Sequence, residues 1–192
     1  MSELTMREKA KVMDGDAIRR AVVRMAHEVL EGNKSASGLA VVGVQTRGVP
    51  LARRLASAIE AIEGVAVPVG VLDTRPFRDD RQERDRPHPP DFPFEVADRT
   101  IILVDDVLYT GRTVRAALEG LILRGRPRSI QLAVLIDRGH RELPVRPDYV
   151  GKNLPTSSRE HVRVRLAEQD GVDEVIIEES QASPAPSSPA RT

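Results

Sequence analysis

Four short apolar runs constrain this chain more than anything else in it. They are Leu39–Val44 (LAVVGV), Val65–Leu72, Thr100–Val104 (TIILV) and Ile130–Ile136 (IQLAVLI). Each is strand-sized and apolar at almost every position, so neither face of such a strand can meet water. Between and before them lie segments with helical periodicity. Asp14–Glu31 repeats Ile18, Val22, Met25, Ala26 and Val29, with Asp14 or Asp16 to cap it and Gly32-Asn33 to end it. Pro50 suits the first turn of a helix running to about Ile62, and Thr113–Arg124 reads as a third. Buried strands alternating with helices predict an α/β fold, an open, mainly parallel twisted sheet covered by helices on both faces.

Two regions depart from the alternation. Thr74–Asp98 carries Pro76, Pro87, Pro89, Pro90 and Pro93 among arginines and acids, and a loop of that length inside one domain is usually functional or disordered. From Asp148 onward the candidate strands DYVG, HVRVRLA and VDEVIIE are shorter and more polar, which predicts a small antiparallel appendage. The organisation expected is one domain over residues 1–179, with a disordered Ser/Pro/Ala-rich tail at 180–192. A chain of 192 residues can bury a core of ordinary size. Lys plus Arg and Asp plus Glu both number 29, so no global field draws it to nucleic acid and any phosphate or RNA site must be a local patch. Without cysteine there is no disulfide and no thiolate metal site. No secretory-type apolar segment or membrane-length run is legible, so a soluble cytoplasmic protein is expected.

Chemistry concentrates where the third apolar run ends. Ile101–Val104 leads straight into Asp105-Asp106-Val107-Leu108-Tyr109-Thr110-Gly111-Arg112-Thr113, then a helix. That is the carboxyl end of a sheet strand, where open α/β sheets bind ligands. Gly111 can take positive φ and bring amides to an anion, the Thr110 and Thr113 hydroxyls can donate to phosphate oxygens, and the helix start adds partial positive charge. Asp105 and Asp106 suit sugar hydroxyls or Mg2+. Singly, each residue also fits an ordinary turn or N-cap. Together they describe a clamp for a ribose 5-phosphate. A Walker A loop and a dinucleotide fingerprint both fail to match.

VDDVLYTGRT is similar to the phosphoribosyl pyrophosphate signature of type I phosphoribosyltransferases. Its neighbours Val44–Gly48, Phe77–Asp80, Asp137–Pro144 (DRGHRELP) and Tyr149–Asn153 (YVGKN) resemble one subfamily. That subfamily is the pyrimidine operon regulators (PyrR), which double as uracil phosphoribosyltransferases. The resemblance runs from about Asp16 to Ile177. It implies the type I phosphoribosyltransferase fold, with a hood from the N-terminal segment and about 138–179 and a lid over about 74–98. It implies that uracil and phosphoribosyl pyrophosphate (PRPP) give uridine monophosphate (UMP) and diphosphate. It also implies nucleotide-dependent binding of the leader RNA of pyrimidine genes.

By the same resemblance, Thr46, Arg47 and Gly48 bind diphosphate, often through a non-proline cis peptide, and Asp105–Thr113 bind PRPP. Asp105, Asp106 and the lid residues Arg78 and Asp79 are the catalytic candidates. Asp137 and Arg138 are the base-binding candidates, and His27, Arg141, Arg146 and Lys152 those for RNA. Mg2+ is expected on the PRPP rather than held directly by the protein. UMP or uridine triphosphate is the expected effector, and a homodimer or higher homo-oligomer the expected assembly. One departure bears on catalysis. The family usually has an apolar-threonine-leucine-tyrosine run before Arg-Asp-Asp, where this chain has Thr74-Arg75-Pro76-Phe77, a change that points to weaker turnover. The alternatives are a regulator without significant catalysis and a phosphoribosyltransferase for another base.

Overall fold

A computed structural model describes residues 5–79, 90 and 92–181. Its elements in order are β1 (Thr5–Asp14), α1 (Gly15–Asn33), β2 (Leu39–Val44), α2 (Gly48–Glu63), β3 (Val69–Leu72), β4 (Thr100–Leu108), α3 (Arg112–Leu123), β5 (Ser129–Asp137), β6 (Tyr149–Asn153), β7 (Glu160–Arg165), α4 (Ala167–Asp170) and β8 (Glu174–Gln181). Five strands form one sheet in the order β3-β2-β4-β5-β6, and all four pairings are parallel. The α/β reading therefore holds.

The apolar runs are apolar because both faces are covered. Side chains alternate across the sheet. Leu39, Val41, Ile102, Val104, Ala133 and Leu135 join the core under α1 and α2. Ala40, Val42, Ile101, Leu103, Leu132 and Val134 join the opposite core, with Val114, Ala117 and Leu121 of α3. The α1 stripe Ile18, Val22, Met25, Ala26 and Val29 is buried as the periodicity required, and the Asp14 carboxylate caps the helix by accepting from the Ala17 N–H at 2.8 Å.

Three expectations need correction. Tyr149–Asn153 is not part of an antiparallel appendage. It is the edge strand of the parallel sheet, with Ala133 opposite Tyr149 and Asp137 opposite Asn153. Only one neighbour covers it, so it tolerates polar residues that a central strand does not. The β3 strand begins at Val69 rather than Val65, because Pro68 has no N–H for the ladder and Val65 is half exposed. The stretch 74–98 is not a free loop throughout. Thr74, Phe77, Phe92, Phe94 and Val96 are buried, and only 80–89 and 91, the centre of the expected lid, lie outside the described residues. Phe92 and Phe94 stack at 5.5 Å in the α3-side core. Phe92→Ala is expected to destabilise the protein by about 3–5 kcal/mol, measured as a lower urea midpoint at unchanged slope.

A second sheet, β1-β8-β7, is antiparallel. Its β1 strand is rich in charge, and ion pairs tie it across the sheet: Lys9 to Glu160 at 2.6 Å and Lys11 to Glu174 at 2.7 Å. Val164, Leu166 and Val175 place its inner face in the core under α1 and α2. The β8 strand continues to Gln181, two residues into the stretch expected to be a tail; 182–192 lie outside the described residues. Among the described residues no helix is long and apolar enough to cross a membrane.

Candidate functional site

The strand order creates one crevice. From β2 the chain moves outward to β3, then returns to β4 on the other side of β2. The carboxyl ends of β2 and β4 are thus the point where connections diverge, the usual ligand position in an open α/β sheet. Gln45–Gly48 leaves β2 there, and Asp105–Thr113 leaves β4.

On the β2 side, the Gln45–Thr46 peptide is cis and Thr46 is exposed. Gly48 begins α2 and lies flat on β4. A Cβ there would stand 2.4 Å from the Val104 carbonyl oxygen and 3.3 Å from the Asp105 Cα. No other residue lets the two loops approach so closely. Arg47 is partly exposed and its guanidinium meets the Asp170 carboxylate at 2.9 Å, while Gln169 Nε2 donates to the Thr46 carbonyl at 2.9 Å.

On the β4 side, Asp105 is buried at 6% exposure and Asp106 is half buried. Each carboxylate accepts the next amide, Asp105 from Asp106 N and Asp106 from Val107 N, both at 2.9 Å. Burial, and then the Asp106 charge beside it, hold the Asp105 carboxyl well above the ordinary carboxylate range. Leu108 is buried and Val107, Tyr109, Thr110 and Thr113 are half buried. Gly111 sits at φ 93°, left-handed, as N-cap of α3, and so frees the first N–H groups of that helix. Arg112 is exposed. Its Nε meets Glu142 at 2.7 Å and its Nη1 meets Asp79 at 3.0 Å. Arg78 beside it is exposed.

The β5 end adjoins this turn, since Asp137 lies opposite Leu108. Glu142 N and Leu143 N both donate to the Thr110 carbonyl, at 3.0 and 3.1 Å, so the DRGHRELP segment clasps the Thr110–Thr113 turn. Arg138 is buried. Its guanidinium lies 4.1 Å over the Tyr109 ring and donates to the Thr156 hydroxyl and the Glu160 carbonyl. Burial pulls this cation down from its ordinary value. Asp137 Oδ1 accepts from Gly139 N and Arg141 Nη2.

The four RNA candidates do not share one environment. His27, Arg146 and Lys152 are exposed. Arg141 is spent inward: it donates to the carbonyls of Tyr109, Gly139 and Val145 and to the Asp137 carboxylate. Two contributors escaped the sequence reading. Gln169 and Asp170 reach the Thr46–Gly48 loop from more than a hundred residues away, and no local pattern signals that contact.

Acids suited to a diol, a glycine turn and helix start suited to a phosphate, and a second loop packed on the same strand end form the arrangement of a phosphoribosyltransferase. Residues 10–169 match the phosphoribosyl transferase domain family, and the chain belongs to that family, in its PyrR branch. The protein named Bifunctional protein PyrR in Deinococcus radiodurans is 60% identical over 172 residues, which is 88% of this chain and 94% of that one. The same-named protein of Thermus thermophilus is 54% identical over 181 residues, 93% of this chain and 100% of that one. Among solved structures, the hypoxanthine phosphoribosyltransferase of Trypanosoma cruzi superposes with a TM-score of 0.69 at 16% identity, over 91% of this chain and 98% of that one, a likeness of fold.

Proposed function

We propose that this chain is a pyrimidine-responsive RNA-binding regulator of pyrimidine nucleotide biosynthesis genes that also makes UMP from uracil and PRPP. The observation that carries it is the contact of Gly48 with Val104 and Asp105 in a chain of the PyrR family. It brings a diphosphate loop against a ribose-phosphate clamp. A new bond forms between the base nitrogen and the ribose anomeric carbon, the bond from that carbon to diphosphate breaks, and the proton of the base N–H leaves to the diphosphate or to solvent.

In this reading Asp105 and Asp106 hold the ribose hydroxyls, and the Thr110–Thr113 amides and hydroxyls hold the 5-phosphate. Thr46, Arg47 and Gly48 meet the diphosphate, and Asp137 and Arg138 border the base. Arg78 and Asp79 close from the lid. Catalysis is then positioning and charge stabilisation around an oxocarbenium-like transition state. The carboxylates and hydroxyls at this edge are hard oxygen donors that suit Mg2+. Carried in on PRPP, Mg2+ would offset charge on the leaving diphosphate. Within the Thr74–Phe77 departure, Thr74 and Phe77 are buried while Arg75 and Pro76 are exposed, and Arg115 donates to the Phe77 carbonyl at 3.1 Å.

His27, Arg146 and Lys152 form the reach toward RNA, with Arg141 shaping the loop from within. Unpaired loops are the usual target of such sequence-reading proteins. The chain carries no excess positive charge, so a homo-oligomer that pools these residues fits the reading.

Turnover of labelled uracil with PRPP and Mg2+ tests the enzyme, with hypoxanthine and guanine as competing bases. A gel shift of pyrimidine leader RNA, with and without UMP, tests the regulator. No UMP formed and no nucleotide-dependent shift would reject the reading. Arg146→Gln and Lys152→Gln are each expected to weaken RNA binding and to flatten its salt dependence by about 0.7–0.9 log units per decade. An unchanged slope removes that residue from the interface.

A further inference from the structure

The short helix α4 has no part in the reading above, yet it grips the diphosphate loop at two points. The Asp170 carboxylate takes Arg47 Nη2 at 2.9 Å and Nε at 3.3 Å, and Gln169 Nε2 takes the Thr46 carbonyl at 2.9 Å. Asp170 is itself fixed, since its Oδ2 accepts from Leu166 N at 2.9 Å and its own amide donates to the Leu166 carbonyl at 2.7 Å. The anchor beneath is strong. Arg54 of α2, two turns beyond Arg47, donates to Glu168 at 2.6–2.8 Å and to Asp173 at 2.7–2.9 Å. Two arginines on one side of the crevice are thus held by one acidic turn of the second sheet. The same turn supplies a wall of a recess of about 450 Å³, in which Gln169 faces Gln45, Thr46, Arg53 and Asp73.

The geometry of the Arg47 fork decides what this contact does. Asp170 occupies Nε and Nη2 and leaves the Nη1 edge of a partly exposed guanidinium. A loose arginine would lose side-chain entropy on meeting an anion, and a held one has already lost it. We propose that Asp170 is a positioning residue for PRPP and diphosphate, holding Arg47 by one edge so that the other presents to the diphosphate group, with Gln169 fixing the adjoining peptide. This rests on the reading of Thr46–Gly48 as the diphosphate loop. It assigns a task in the reaction to Asp170 and Gln169.

The alternative effect of Asp170 has the opposite sign. If it merely lay nearby, its negative charge would repel the diphosphate, and its removal would tighten binding.

Steady-state kinetics with the full-length protein separate these. Asp170→Asn and Asp170→Ala are each expected to raise the KM for PRPP and the inhibition constant of inorganic diphosphate about tenfold, the size of one charge-assisted hydrogen bond. The KM for uracil and kcat stay within about threefold. Gln169→Ala moves PRPP the same way by less. Glu168→Ala removes an anchor of the same helix without touching the loop, so it lowers the melting temperature and leaves the PRPP KM within about twofold. Should Asp170→Ala not fold, the isosteric Asp170→Asn decides. An unchanged or lowered PRPP KM in Asp170→Asn overturns the proposal, as does a Glu168→Ala variant that raises it equally. Arg47→Ala keeps the two levels apart. If it raises the PRPP KM and Asp170→Asn does not, the positioning role alone falls. If Arg47→Ala also leaves PRPP unaffected, the diphosphate-loop reading falls with it.

Discussion

Gly48→Ala is expected to reduce uracil phosphoribosyltransferase turnover by about 100-fold or more, the penalty for misplacing a reacting group by about 1 Å. The added Cβ would sit 2.4 Å from the Val104 carbonyl oxygen and 3.3 Å from both Val104 C and Asp105 Cα. These are backbone atoms of a central strand paired on both sides, so they cannot swing away as a side chain would. The start of α2 must lift instead. Lifting it carries Thr46 and Arg47 away from Asp105 and opens the contact that, in the proposed reading, holds the ribose and diphosphate sites together. Helix propensity points the other way, since alanine in place of glycine favours a helix by about 1 kcal/mol. A net destabilisation of about 1–3 kcal/mol, the usual range for overpacking, therefore has to come from the clash. Measured kcat/KM and the denaturant midpoint check both parts. Turnover within about fivefold of the parent would show that the β2 loop does not act together with the β4 loop.

How far the sequence foretold this follows from which forces act locally. The strands β2, β4 and β5 are buried on both faces, so burial wrote itself into unbroken apolar runs such as Leu39–Val44. The α1 stripe was legible for the same reason. Asp105–Thr113 was legible because its parts are adjacent in the chain and each has a chemical reason to be there. The strand β1 was not read as a strand: Arg7, Glu8, Lys9 and Lys11 gain their place from a ladder with β8 and from Glu160 and Glu174, acids more than a hundred residues distant. The strand β6 was misplaced because an edge strand carries a weak apolar signal, and only its pairing with β5 reveals the sheet it joins. Arg141 looked like a free surface cation until its donors were followed into carbonyls of Tyr109 and Val145. The Asp170–Arg47 pair belongs to the same class. Sequence spacing reports periodic burial and contiguous motifs; a pairing across the fold leaves no period to find.

Asp105→Asn should separate function from stability, making the protein more stable at neutral pH and nearly inactive. The Asp105 carboxyl is buried beside Asp106, and its proton affinity is raised, first by burial and then by that neighbouring charge. A carboxyl raised in the folded state holds its proton where the unfolded chain has already released it. Over that window the folded form binds more protons, so stability falls as pH rises, by at most about 1.4 kcal/mol per pH unit for one group. The window opens near the ordinary carboxylate value of about 4 and extends upward to the raised folded value. Asparagine has nearly the same shape, its Oδ1 can still accept from Asp106 N, and it carries no charge to bury. The variant is therefore expected to melt higher than the parent at pH 7 and to converge with it toward pH 4. Turnover is expected to fall by about 100- to 1000-fold, because in the proposed reading the site loses the carboxyl group preorganised against the ribose of the transition state. Thermal melts from pH 4 to pH 8, paired with kcat at pH 7, test both halves. A variant that is active, or one whose stability gain does not shrink on acidification, would show that Asp105 is neither the strained acid nor the ribose-facing group. A buried, raised carboxyl that costs stability is the kind of residue a fold keeps for chemistry rather than for packing.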